Sequence, residues 1–191
     1  LFIKTLSPYT DTVVLAAIDP GHAHDKPAAL DAEILRWASS LRDALSARLL
    51  VLHAQVPWER AMPVQPQLRD APEVVRTDVA TTWRDSLGAR ARALAEEYAV
   101  PQQRVRIAEG SVPEALGRFV EQVKADILVM GAASRSRMGR LLIGHTAERV
   151  LDALKCDVLV VKAPGFRSSI DPQSTHHVDR GSASAARTIW F

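Results

Sequence analysis

The run DILVMGAASRSRMGRLLIGHTAERVLDALKCDVLVVK, residues Asp126 to Lys162, holds two short apolar segments joined by a loop and a helical stretch. Asp126 to Met130 and Asp157 to Lys162 are nearly continuous in aliphatic residues, the pattern of strands buried on both faces. Between them, Gly131 to Ile143 is rich in small and basic residues, and Thr146 to Leu154 reads as a helix. A strand, a crossover helix and a second buried strand predict parallel pairing.

The same unit recurs toward the N-terminus. Thr12 to Ile18 is a continuous apolar run stopped by Asp19-Pro20-Gly21, a strand ending in a turn. From Pro27 to Leu45, Ala28, Leu30, Ile34, Leu35, Ala38, Leu41 and Leu45 recur at spacings of three and four, interleaved with Asp31, Glu33, Arg36, Arg42 and Asp43. This is an amphipathic helix with Pro27 in its first turn. Arg48 to Ala54 is a second strand, and Pro57 to Pro72 is a loop carrying four prolines. Thr77 to Tyr98 resumes helical spacing, and Gln103 to Ala108 alternates in the manner of an edge strand with one wet face. Ser111 to Lys124 is a third helix, with Ser111 as N-cap, Glu114 closing a capping box and Pro113 in the first turn.

The order is βαβαβαβαβ, which predicts an α/β fold: an open parallel five-stranded sheet with helices on both faces. The domain spans residues 12–162, with 1–11 an N-terminal extension or linker and 163–191 a flexible tail. Ligands in such sheets sit beyond the carboxyl ends of the strands at the switch in strand order. That places Asp19, His53 to Pro57 and the Gly131 loop around one crevice.

Composition fits this reading. A chain of 191 residues, 47% of them hydrophobic, suffices for one α/β domain with a core. Lys and Arg number 24 against 22 Asp and Glu, a balance that asks for neither nucleic acid nor an anionic membrane. No apolar run approaches the roughly 20 residues of a membrane span. Cys156 is the only cysteine, which excludes an internal disulfide or a multi-cysteine metal site and leans toward a reducing cytoplasm. It begins a buried strand and reads as an inert packed thiol. The start at Leu1, with the first strand only near Thr12, suggests a piece of something longer.

The Asp126–Lys162 run resembles the universal stress protein family. That family carries a Gly-x2-Gly-x9-Gly pattern after its fourth strand. Gly131, Ser134 and Gly144 occupy the three positions here, with Gly139 inside the loop. The segment GHTAERVLDALKCDVLVVK, residues 144–162, is most similar to the second, C-terminal domain of the tandem E-type members. The resemblance implies a Rossmann-like fold of the adenine nucleotide alpha-hydrolase type and a stress-response binding module in the cytoplasm. It also implies a site for ATP or ADP, with Mg accompanying the bound nucleotide. Asp19 would face the base or ribose, Ala54 would cover the base, Gly131 and Ser134 would meet the ribose, and Gly144, His145, Thr146 and Ala147 would hold phosphates. Glycines at such a loop allow close backbone approach to an anion, and amides at a helix beginning favour it. Arg135, Arg137 and Arg140 would add positive charge.

The sequence departs from the pattern at Ser134, where a side chain replaces the middle glycine, and at His145 and Ala147, where hydroxyl residues are expected. Two readings therefore stand side by side: a working nucleotide site, or a crevice adapted to another small ligand or to a dimerisation scaffold. A weak ATP-hydrolysing or nucleotidyl-transferring enzyme is the third, without a visible nucleophile, base and orienter. The resemblance further implies a homodimer or a sister domain covering the strand-five edge at Val158 and Val160. Other features carry less. His22 and His24 lack a third metal ligand, His176-His177 lies in the tail, and the basic zone of Arg118, Lys124 and the loop arginines lacks stacking aromatics for nucleic acid.

Overall fold

The computed structural model describes residues 1–5, 8–21, 29–55, 71–132, 154–164 and 187–188. Its elements in chain order are β1 (Phe2–Ile3), β2 (Val13–Ile18), α1 (Ala29–Leu45), β3 (Arg48–Gln55), α2 (Glu73–Glu96), β4 (Val105–Glu109), α3 (Val112–Val123), β5 (Ile127–Gly131), β6 (Asp157–Val161) and β7 (Arg187–Thr188). The sheet order is β4-β3-β2-β5-β6-β1-β7. The five strands expected from the sequence are all parallel to one another, in the registers Ile18↔His53, Ala17↔Met130, His53↔Ile107 and Met130↔Val160. The alternating strand β4 lies at the edge, as its one wet face predicts.

Two core layers hold the sheet. Because successive strand residues point to opposite faces, Val14, Ala16, Val51 and Val129 face one side, where Leu30, Ile34, Leu35 and Ala38 of α1 and Ala91 and Ala95 of α2 meet them. Val13, Leu15, Leu52, Leu128 and Met130 face the other, against Leu116 and Val120 of α3. Burying each large aliphatic side chain contributes about 1.5–3 kcal/mol. Leu30, Ile34 and Leu35 are fully buried, so α1 is the best anchored of the described helices.

Three expectations need correction. Among the described residues the sheet has seven strands, because two-residue strands β1 and β7 add in antiparallel fashion at Phe2↔Val158, Phe2↔Thr188 and Ile3↔Arg187. Two residues cannot display a hydrophobic period, so nothing in the sequence pattern announces them. The edge expected at Val158 and Val160 is therefore not the end of the sheet: Phe2 pairs with Val158 and packs on its core layer. Finally, Ser111 occupies the N-cap of α3 with φ −67° and ψ 147° but makes no side-chain capping bond. Pro113 has already removed one of the amides a cap serves.

The N-terminal segment is tied down by one carboxylate. Asp157, fully buried, accepts hydrogen bonds from the main-chain amides of Lys4 (2.5 Å) and Thr5 (3.0 Å), from Thr5 Oγ1 (3.3 Å) and from the Tyr9 hydroxyl. Burial, and then the bond to Asp157, raise the Tyr9 hydroxyl above its ordinary pKa.

Candidate nucleotide crevice

The chain leaves β2 toward β3 and leaves β5 toward β6, on opposite sides of the sheet. The adjacent carboxyl ends of β2 and β5 are thus the switch point at which connections part and a crevice opens. The registers Ile18↔His53 and Ala17↔Met130 bring the following residues, Asp19, Ala54 and Gly131, to one end of the sheet. All three are half-buried. Ser134, Gly144, His145, Thr146 and Ala147 lie outside the described residues, as do His22, His24, the Thr146 helix, most of the Pro57–Pro72 loop and His176-His177.

Asp19 is set by its main chain. The peptide unit between Ile18 and Asp19 is held at both ends: His53 Nδ1 donates to the Ile18 carbonyl (3.2 Å), and the Asp19 amide donates to Asp31 Oδ1 (3.0 Å). A carbonyl only accepts, so the histidine carries a proton on Nδ1. His53 is 2% exposed and Asp31 1% exposed. Asp31 sits in the first turn of α1, where the helix dipole favours a carboxylate. The sequence reading grouped it with the polar residues of an amphipathic helix. Its spacing from Ile34, Leu35 and Ala38 carries the opposite signal, since positions three, four and seven apart share one face.

The glycines beside the crevice serve packing. A Cβ on Gly131 would meet Leu30 Cδ2 at 2.8 Å, Leu30 Cγ at 3.0 Å and Ile34 Cδ1 at 3.1 Å. The bare face of Gly131 is turned to α1, so its absent side chain is a demand of the core rather than of an approaching anion. A Cβ on Gly21 would meet Leu87 Cδ2 of α2 at 3.0 Å and Asp19 Oδ1 at 3.7 Å. The turn after β2 is thereby wedged under α2.

Two further polar groups stand at this end of the sheet. Gln55, 4% exposed at the end of β3, has an Oε1 with no hydrogen-bond partner. Its main-chain carbonyl accepts from the Gly110 amide at 3.0 Å. Lys162 follows β6, where the Ala132 amide donates to the Val161 carbonyl at 2.9 Å. Burial lowers its pKa, the expected direction for an ammonium withdrawn from water. Neither was a candidate in the sequence, because each is a single polar residue at a strand end.

Among the described residues no group of three His, Cys, Asp or Glu side chains gathers as a metal site. Cys156 lies at the opposite, amino-terminal end of β6, buried, with its thiol pushed up to about 11 by desolvation. No helix of the described residues is long and apolar enough to cross a membrane.

Topology and packing together define a doubly wound α/β domain with its switch in strand order between β2 and β5. The pattern of the universal stress protein family matches residues 13–162, and the chain belongs to that family. Universal stress protein E of Salmonella typhi is 25% identical over 135 residues, covering 69% of this chain and 42% of the relative. A crystal structure of a Pseudomonas aeruginosa protein assigned to the universal stress proteins superposes with a TM-score of 0.64 at 28% identity, covering 84% of this chain and 51% of the other. The chain thus spans about half the length of these relatives. Two more distant structures share the fold: a universal stress protein in complex with cAMP (TM-score 0.53, 22% identity) and an Arabidopsis thaliana family member with AMP bound (TM-score 0.51, 18% identity). They cover 81% of this chain and 99% and 93% of theirs, respectively.

Proposed function

We propose that this domain is a stress-response binding module that holds an adenine nucleotide at the carboxyl ends of β2, β3 and β5 without transforming it. The observation that carries the reading is the two-sided grip on the Ile18–Asp19 peptide at the switch point, which holds Asp19 ready at the crevice. Adenine nucleotides in two relatives of the same fold support the ligand class. Asp19 and Ala54 would meet the base and ribose, with Gly131 beside them. Ser134, Gly144, His145, Thr146 and Ala147 would take the phosphates, and magnesium would enter as the counter-ion of ATP or ADP. Lys162 adds a cation near that end of the sheet. In this reading bound nucleotide acts as a signal rather than a substrate.

Calorimetric titration with Mg-ATP and chromatography of nucleotide released from the purified protein test this. Micromolar binding, weakened about tenfold or more by Asp19→Ala, is expected, the loss corresponding to about 1.4 kcal/mol. No carried nucleotide and no binding heat would reject the reading. Steady phosphate release abolished by Asp19→Ala would replace it with an enzyme.

A further inference from the structure

We infer that His53 and Asp31 are positioning residues for the nucleotide, acting through the Ile18–Asp19 peptide, an inference that rests on the crevice being the nucleotide site. Ile18 is the last residue of β2, and the Asp19-Pro20-Gly21 turn begins where the ladder to β3 ends. The Ile18 carbonyl is still within that ladder, where the register makes it the acceptor of the Ala54 amide, whereas the Asp19 amide lies beyond the last β2–β3 pair. Here the His53 ring from β3 adds a second donor to the carbonyl and a carboxylate from α1 takes the amide, so turning this peptide breaks both side-chain bonds as well as the ladder bond. Both side chains are almost wholly buried and cannot follow the peptide outward. Asp31 also stands where an apolar residue would suit the core, on the face of α1 shared with Ile34 and Leu35. Burying a carboxylate is costly, and apolar substitutes of similar size are often at least as stable. The helix dipole favours a carboxylate at Asp31, and its Oδ1 holds the Asp19 amide.

The test pairs removal with rescue. In Asp31→Leu and His53→Leu the acceptor or donor is lost. In Asp31→Asn the acceptor remains, and in His53→Asn a side-chain amide replaces the Nδ1 donor. Mg-ATP affinity is read by calorimetry and exchange of the Asp19 amide by NMR. Each leucine variant is expected to bind Mg-ATP about tenfold more weakly, the effect of one lost hydrogen bond, and to exchange the Asp19 amide at least about tenfold faster. The asparagine variants should recover most of both. Should a leucine variant fail to fold, the alanine variant at that position carries the same comparison. Leucine variants that bind like the parent overturn the inference, as do asparagine variants impaired as badly as leucine. If the parent itself does not bind Mg-ATP, the nucleotide reading falls. Asp19 amide exchange then decides whether the grip exists.

Discussion

Gly131→Ala separates a packing glycine from a ligand-approach glycine. The backbone of β5 at this position is ordinary strand, so alanine meets no conformational barrier, and its lower unfolded-state entropy returns about 0.5–1 kcal/mol. Against this, the new methyl lies 2.8–3.1 Å from Leu30 and Ile34, both fully buried, so neither side chain can swing into solvent. Overpacking of a filled core costs about 1–3 kcal/mol. The net expectation is a loss of about 1–2 kcal/mol, and each kcal/mol lowers the thermal midpoint by about 2–4 °C in a domain of this size. Urea unfolding should show a lower midpoint with an unchanged slope. Leu30→Ala supplies the control, since it opens the space the methyl needs. The double variant should be less destabilised than the sum of the singles by about 0.5 kcal/mol or more. A neutral or stabilised Gly131→Ala, or strict additivity with Leu30→Ala, would refute the packing account. Lost Mg-ATP binding at full stability would return the glycine to the ligand.

Ala99 and Lys124 end helices in the left-handed region, with φ 55° and 52°, where a Cβ costs about 1 kcal/mol or more. Ala99→Gly and Lys124→Gly should each stabilise the domain by about 0.5–1 kcal/mol in urea titrations. Asp157→Ala should remove the acceptor for Lys4, Thr5 and Tyr9, costing about 2–3 kcal/mol. Hydrogen exchange at residues 2–5 should accelerate, and the uncovered β6 edge should self-associate in sedimentation runs. Unchanged exchange at those amides would show that Asp157 is not the tether. Tyr9 and Cys156 are held neutral in the fold, with pKa values raised, that of Cys156 from 9.0 to about 11. Their contribution to stability is therefore complete below about pH 9 and is lost as pH rises through the folded values. Stability measured from pH 8 to 11 should fall, and Tyr9→Phe with Cys156→Val should flatten the decline.

The central fold was readable because β2, β3, β5 and β6 are buried on both faces and their sequences say so without regard to partners. The helix after the proline-rich loop was placed with a late start. Its first turn, from Glu73, shows Val74 and Val75 to solvent (76% and 40% exposed), which breaks the period that marks a buried face. Spacing and motif placed Asp19 and Gly131 at the carboxyl ends of β2 and β5, where the structure has them, but the motif attached a ligand role to a glycine whose bare face meets Leu30. Asp31 lies 12 positions from Asp19 and His53 lies 35 from Ile18, beyond any window of local pattern. A hydrogen bond of that span is fixed only when β3 and α1 are docked. This changes how the departures at Ser134, His145 and Ala147 weigh. Those three positions lie outside the described residues, while the frame that orients Asp19 is built from buried groups. Asp31 and His53 tie the start of the Asp19 turn to α1 and β3, and that tie is independent of what stands at those three positions.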